Sequence, residues 1–179
     1  MLFVIMGPSG SGKTAITELL REKYGKTVVE SYTTRPRRYP NERGHIFVSD
    51  DEFARLKDKV AEVSYAGAQY CATLEQLRNS DLYVAEPSAL DDLRRLKDHG
   101  KLDYLVVAIE VEEPVRKTRM RVRGDTSESI QQRIQWDRVV FSDMRKISDK
   151  VIYNDFDLEY ATDRLFEYMR TQSQKSDKE

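Results

Sequence analysis

The sequence lacks several features that would point to other kinds of protein. It has a single cysteine, Cys71, so no internal disulfide can form, and a reducing, cytoplasmic location is expected. No stretch approaches the roughly 20 consecutive apolar residues that a membrane-spanning helix needs. Thirty basic residues face 31 acidic ones, so no general positive charge favours nucleic acid or membrane as a partner. Any site for an anion must therefore be built locally.

The 179 residues include 39% hydrophobic ones, which is enough for the core of one domain. Short apolar runs alternate with segments of helical spacing, which is typical of α/β proteins with a parallel sheet. Strands are predicted at residues 2–6, 28–29, 46–48, 82–85, 104–111 and 151–153. Helices are predicted at residues 13–24, 50–59, 74–77, 88–98, 114–122, 125–147 and 158–169. Local signals mark several of their ends: a Gly25 stop, a capping box of Thr73 with Gln76, Pro114 in a first turn and an Asp125 cap.

The sequence GPSGSGKT at residues 7–14 matches G-x-x-x-x-G-K-[ST], between a predicted strand and a predicted helix. Glycines let successive N–H groups point inward at phosphate oxygens, and the start of the helix adds partial positive charge. Lys13 would neutralise the outer phosphates of ATP, and the hydroxyl of Thr14 would bind Mg²⁺. A chance glycine-rich turn is the alternative, which the flanking strand and helix disfavour. The residues predicted to bind the donor here are Gly7, Pro8, Ser9, Gly10, Ser11, Gly12, Lys13 and Thr14.

Segments further along the chain resemble those of the guanylate kinases, in the same order and over nearly the whole length. They are residues 31–37 (SYTTRPR), 44–49 (GHIFVS), 65–70 (YAGAQY), 119–124 (RMRVRG), 129–133 (SIQQR) and 151–155 (VIYND). The resemblance implies an α/β P-loop kinase fold with a parallel central sheet flanked by helices. It also implies a small insert at residues 31–71 that binds the nucleoside monophosphate and a helical lid at residues 113–141. The core would then comprise residues 1–30, 72–112 and 142–172.

The resemblance also implies the roles of single residues in phosphoryl transfer from ATP to GMP or dGMP. Two polyanions must approach each other, and the planar fork of arginine binds phosphate oxygens in pairs. The implied catalytic residues are Lys13, Arg35, Arg119, Arg123 and Arg133. The implied acceptor-binding residues are Ser31, Arg35, Arg37, His45, Glu62, Tyr70, Ala72 and Glu86. Asn154 would lie near the base of the donor.

At four of these positions, His45, Glu62, Ala72 and Glu86, the sequence departs from the family pattern where that pattern reads guanine. A site with fewer paired polar groups discriminates less between substrates. The sequence therefore supports phosphate binding more strongly than selectivity for guanine. Another deoxynucleoside monophosphate or a ribose bisphosphate is an alternative acceptor. A non-catalytic binding module is a further alternative, although such domains typically lose the loop lysine. The expected partners are small nucleotides, without nucleic acid or membrane, and the chain is expected to be a monomer or homodimer.

Individual features have simpler alternatives. The basic stretch at residues 35–43 could be a solvated or RNA-contacting loop, and the arginines at residues 119–123 could form a salt-bridged helix face. Glu86 could cap the helix that follows it.

Overall fold

The computed structural model describes residues 1–37, 40–65 and 67–176. Arg38 of the basic stretch and Ala66 of the 65–70 segment lie outside the described residues. The strands are β1 (Leu2–Met6), β2 (Ser31–Thr33), β3 (His45–Phe47), β4 (Lys59–Tyr65), β5 (Ala68–Thr73), β6 (Leu82–Val84), β7 (Tyr104–Glu110) and β8 (Lys150–Tyr153). The helices are α1 (Lys13–Tyr24), α2 (Asp50–Arg55), α3 (Leu74–Arg78), α4 (Leu90–Asp98), α5 (Glu113–Val122), α6 (Ser127–Val140), α7 (Met144–Ile147) and α8 (Leu158–Ser176).

Four parallel strands form the central sheet in the order β6-β1-β7-β8. Successive residues of β1 face opposite sides of this sheet. Val4 packs in the cluster that includes residues of α4 and α7, whereas Ile5 packs in the cluster with residues of α1 and α8. Helices therefore cover both faces, which explains why the strands read as continuous apolar runs. The predicted α/β architecture with a parallel sheet is confirmed.

A second sheet has the order β3-β2-β5-β4 and mixed strand directions. Strand β2 pairs in parallel with β3, which places Ser31 opposite His45, and antiparallel with β5, which places Thr33 opposite Tyr70. The antiparallel pair of β4 and β5 is interrupted by an irregularity between Val60 and Val63. This sheet thus brings together side chains that are far apart in the sequence.

Helices α5 and α6 pack against each other through a small core of Met120, Ile130 and Ile134. Helix α5 has Pro114 in its first turn, and a glycine follows its end, as predicted. The predicted single helix with a cap at Asp125 is wrong. Helix α6 begins after Thr126, whose side chain accepts a hydrogen bond from the following turn, and it ends at Val140, before α7. The carboxylate of Asp125 is instead occupied by the guanidinium of Arg123.

Two further local predictions differ from the structure. Residues 28–29 form only an isolated bridge from Val28 to Leu82, because the chain leaves the central sheet to start the second one at Ser31. The helix predicted over residues 50–59 ends at Arg55, because Lys59 already belongs to β4 and pairs with β5. The predicted Gly25 stop and the capping box of α3 are confirmed. Among the described helices, none has both the length and the apolar character required to cross a membrane.

Candidate active site

The loop of residues 7–14 connects β1 to α1 at the C-terminal edge of the central sheet. Gly10 and Gly12 have φ values of 77° and 91°, a region that glycine adopts without steric cost. A side chain at Gly12 would collide with the amide nitrogen of Asn154, and a Cβ at Gly10 would lie 2.9 Å from the carbonyl oxygen of Arg116. The loop is therefore tightly enclosed by the residues around it, and its last residues lead into the amino end of α1. This is the arrangement that an anion cradle requires.

Lys13 lies across this loop. Its ammonium donates to the carbonyl oxygens of Gly7 at 2.5 Å and Pro8 at 3.2 Å. Burial lowers the pKa of Lys13 to about 8, and the negative charges of Asp137 and Glu86 oppose that shift. Glu86 is exposed, and its side chain makes no capping hydrogen bond to the 3₁₀ turn that follows. The helix-cap alternative for Glu86 is therefore not realised.

A group of buried polar atoms surrounds the end of the loop. The side-chain amide of Asn154 donates to the carbonyl oxygen of Ser11 at 2.9 Å, and Arg119 donates to the carbonyl oxygen of Asn154 at 2.7 Å. Ser11 Oγ, Asn154 Oδ1 and Arg119 Nη1 are buried and have no hydrogen-bond partner in the described part of the chain. Buried polar atoms are normally paired. These unpaired atoms beside a glycine cradle fit a polar ligand such as a nucleoside triphosphate.

Two other predicted arginines lie around the turn between α5 and α6. Arg123 Nε donates to a carboxylate oxygen of Asp125 at 3.1 Å, and Arg133 Nε lies 4.0 Å from the same carboxylate. The side chains of Arg123 and Arg133 are 57% and 44% exposed. The carboxylate of Asp125 is only 17% exposed, whereas both guanidinium groups reach the solvent at this turn.

Three predicted acceptor-binding residues meet on neighbouring strands of the second sheet. The hydroxyl of Ser31 lies 2.9 Å from Nδ1 of His45, and the rings of His45 and Tyr70 are 5.8 Å apart in an edge-to-face arrangement. The strand pairing produces this grouping, since β2 lies between β3 and β5.

Beside them, Arg35 and Arg37 are held by Glu42, a residue that the sequence did not single out. Arg35 donates to both carboxylate oxygens of Glu42, at 2.8 and 3.3 Å, and Arg37 donates to its backbone oxygen at 2.8 Å. The two guanidinium carbons lie 5.3 and 4.2 Å from the ring centre of Phe47. The hydrogen bonds that Arg35 donates to Glu42 raise the pKa of Arg35. The acidic residue within a run of arginines is the signal that could have identified Glu42.

The remaining two predicted acceptor-binding residues are engaged elsewhere. Glu62 forms an ion pair of 3.1 Å with Lys59 on the same strand, and its side chain is 45% exposed. Ala72 is fully buried in the hydrophobic core and offers no polar side-chain atom to a ligand.

A buried ion pair that was not predicted from the sequence also contacts the loop. Asp137 of α6 accepts a hydrogen bond from the backbone N–H of Ser9 at 2.9 Å, and Arg116 of α5 lies 3.3 Å from the same carboxylate. Helical spacing could have indicated this pair. Asp137 follows Ile130 and Ile134 on the apolar face of α6, where a charged residue needs a buried partner.

No group of three His, Cys, Asp or Glu side chains among the described residues is arranged to hold a metal ion. A magnesium ion carried by a nucleotide needs few protein ligands, because phosphates and water supply the others. Thr14, the predicted magnesium ligand, is exposed in the first turn of α1.

The parallel sheet, the loop between its first strand and helix, and the second sheet define the class of P-loop kinases. The sequence model of the family described as guanylate kinase matches residues 1–172. Guanylate kinase of Hydrogenovibrio crunogenus is 33% identical over 87% of this chain and 81% of its own length. That of Anaplasma phagocytophilum is 29% identical over 98% and 89%. The crystal structure of guanylate kinase from Anaplasma phagocytophilum covers 96% of this chain and 85% of its own, with a TM-score of 0.67 and 20% identity. The chain belongs to the guanylate kinase family.

Proposed function

We propose that the protein transfers the terminal phosphoryl group of ATP to GMP or dGMP. The observation that carries this proposal is the presence, in one chain of this family, of an intact phosphate loop with Lys13 and of a separate arginine group, Arg35 and Arg37, beside the second sheet. Phosphoryl transfer needs positive charge on both nucleotides, and these two groups supply it. A deoxynucleoside monophosphate other than dGMP or a ribose bisphosphate is not favoured by the family match. The intact lysine disfavours a non-catalytic module.

On the donor side, the loop amides and Lys13 would hold the phosphates of ATP, and Asn154 and Arg119 would line the donor site through their unpaired polar atoms. Thr14 would hold the magnesium ion. That ion, bound to the donor, neutralises charge that develops on the phosphate oxygens.

On the acceptor side, Ser31, Arg35, Arg37 and Tyr70 would bind the phosphate of GMP. Arg35 already presents two N–H groups to a planar carboxylate, which is the geometry that a phosphate also accepts. The guanine base would lie towards the predicted guanine-reading positions. Of these, His45 contacts Ser31 of the acceptor-binding residues, and Glu86 lies near Lys13.

Helices α5 and α6 form a helical hairpin within residues 113–141, and this α5–α6 hairpin would act as the lid. Residues 31–71 would act as the acceptor-binding insert. Closure of both would exclude water and bring Arg119, Arg123 and Arg133 to the transferred group, which limits hydrolysis of ATP. Small-angle scattering should show a smaller radius of gyration with a bisubstrate inhibitor than without it. An unchanged radius would count against closure.

Localisation and assembly follow from the same proposal. A nucleotide kinase with one buried cysteine suits the reducing cytoplasm, where its substrates are small molecules. We propose that it acts as a monomer or homodimer, without nucleic acid or membrane.

A coupled assay with magnesium-ATP and a panel of acceptors tests the activity. The panel comprises GMP, dGMP, AMP, CMP, dTMP and a ribose bisphosphate, and the Lys13→Met variant serves as the control for contaminating kinases. We expect GMP and dGMP to have the highest kcat/KM of the panel, by a modest margin of about 10- to 100-fold, because Glu62 is paired with Lys59 and Ala72 has no polar side-chain atom to bind a base. Turnover of another acceptor without turnover of GMP or dGMP would contradict the proposal.

A further inference from the structure

The carboxylate of Asp137 joins the phosphate loop to the α5–α6 hairpin. It accepts hydrogen bonds from the backbone N–H of Ser9 at 2.9 Å and from the Ser9 hydroxyl at 3.3 Å. Its side chain is 4% exposed, and its counter-charge is Arg116 of α5 at 3.3 Å, which is 8% exposed. A carboxylate leaves water only when hydrogen bonds and opposite charge replace its hydration. For Asp137, the loop supplies the hydrogen bonds and α5 supplies the charge.

The same part of the loop is also in direct contact with α5. Gly10 lies so close to the backbone of Arg116 that a Cβ would come within 2.9 Å of its carbonyl oxygen. Ser9 and Gly10 are therefore held from two sides, by a hydrogen bond to α6 and by packing on α5. Since these residues precede the amides that lead into α1, a displacement of the hairpin would shift those amides as well.

We propose that Asp137 is a positioning residue of the donor site. Through Ser9 it determines the shape of the phosphate loop, and through Arg116 it makes that shape depend on the position of the hairpin. The inference rests on the donor role of the loop proposed above. Asp137 acts through the loop: its carboxylate is already occupied by the N–H of Ser9, so it influences a bound phosphate only by holding Ser9 in place. Among the charges that oppose the burial of Lys13, Asp137 has the largest effect, which agrees with its place beside the loop.

Substitution of Asp137 should affect the donor and spare the acceptor. Asp137→Ala removes the acceptor for the Ser9 N–H and leaves Arg116 buried without its carboxylate. We expect the KM for ATP to rise at least about tenfold, since a hydrogen bond to a charged group is lost. The KM for GMP should change less than about twofold, because the arginine group lies beside the separate second sheet, between β2 and β3.

Two further variants make the test specific. Asp137→Asn keeps an oxygen that can accept from Ser9, so the KM for ATP should return to within about threefold of the original value. Arg138→Ala is the matched control, because Arg138 pairs at 3.0 Å with Glu113 and so joins the same two helices at the surface. It should leave both KM values unchanged. An equal rise of both KM values in Asp137→Ala, no rise, or the same donor effect in Arg138→Ala would overturn the proposal.

The double variant Arg116→Met/Asp137→Leu keeps the test decisive if Asp137→Ala does not fold. Apolar replacement of both partners leaves no unpaired buried charge. ATP should then raise the melting temperature of this variant less than it raises that of the original protein, and an equal increment would overturn the inference. Failure of the proposed function looks different, because the unmodified protein itself would then show no turnover of GMP or dGMP.

Discussion

The phosphate loop and the arginine group of the second sheet are two anion-binding arrangements made from different parts of the chain. The loop consists of consecutive residues, 7–14, and offers backbone amides with one ammonium. The arginine group consists of Arg35 and Arg37 from the segment between β2 and β3, and it lies beside Ser31, His45 and Tyr70 of the second sheet. In the loop, burial lowers the pKa of Lys13 to about 8, whereas in the arginine group the hydrogen bonds donated to Glu42 raise the pKa of Arg35. The donor side can therefore lose its charge at moderate pH, and the acceptor side cannot.

A carboxylate holds each arrangement in place, but one carboxylate is remote in the sequence and the other is near. Asp137 reaches Ser9 from 128 residues away, whereas Glu42 reaches Arg35 from seven residues away. The arrangement that is local in sequence is thus held by a remote residue, and the dispersed one is held by a near neighbour. Long-range coupling is expected on the donor side, and local preorganisation is expected on the acceptor side.

The largest expected effect is on the donor side. Lys13→Met should lower kcat by a factor on the order of 10²–10³, the usual loss when a preorganised charge at the reacting group is removed. Turnover in the coupled assay measures this loss. Circular dichroism and calorimetric GMP binding should be unchanged, because the arginine group is intact. Near-normal turnover would show that the donor side does not depend on its single ammonium.

On the acceptor side, Arg35→Lys should raise the KM for GMP about 10- to 100-fold, because an ammonium cannot replace the paired N–H groups of the arginine fork. The KM for ATP should stay within about twofold. Steady-state kinetics with each substrate varied in turn gives both values. The matched control is Arg145→Lys, since Arg145 is an exposed arginine paired with Glu110. A rise in the KM for ATP alone would reverse the assignment of the two arrangements.

The pH dependence of binding should separate the two sides. Lys13 binds phosphate as the ammonium, so above its pKa of about 8 in the free protein ATP binding must be accompanied by proton uptake. The affinity for ATP should then fall by up to about tenfold per pH unit above that pKa. The affinity for GMP should stay level between about pH 7 and 9, because the arginine charges persist over this range. Calorimetry in buffers of different ionisation enthalpy measures the proton uptake. Equal pH profiles for the two nucleotides would contradict the assignment of an ammonium to the donor side and of guanidinium groups to the acceptor side.

The smallest expected effect concerns stability. The pKa of Lys13 is lower in the folded than in the unfolded chain, so the folded state binds fewer protons between about pH 8 and 10.5. The contribution of this group to stability therefore rises with pH in that window and is unfavourable below it. Lys13→Met should raise the melting temperature by about 2–5 °C at pH 7, and the difference should shrink towards pH 10.5. Differential scanning calorimetry at both pH values tests this, and a lower melting temperature at pH 7 would contradict it.

The parts of the fold that could be predicted are those with short-range causes. The left-handed Gly25 after α1 and the capping box of Thr73 with Gln76 depend only on neighbouring residues, and both are confirmed. The hairpin of β4 and β5 escaped prediction, because β4 carries polar residues and is recognisable only through its pairing partner. Of the predicted site residues, Ser31, His45 and Tyr70 lie together on neighbouring strands of the second sheet, whereas Ala72 is buried in the core. Their roles remain predictions.

The sequence by itself determined the phosphate loop, the alternation of strands and helices and the family, because each of these depends on residues close together or on the order of short motifs. Only the tertiary structure decided that Glu42 holds the two arginines, that Glu62 turns to Lys59, and that Asp137 with Arg116 supports the loop. A buried charge is tolerable only where the fold delivers its partner, and which segments meet is a property of the packed chain.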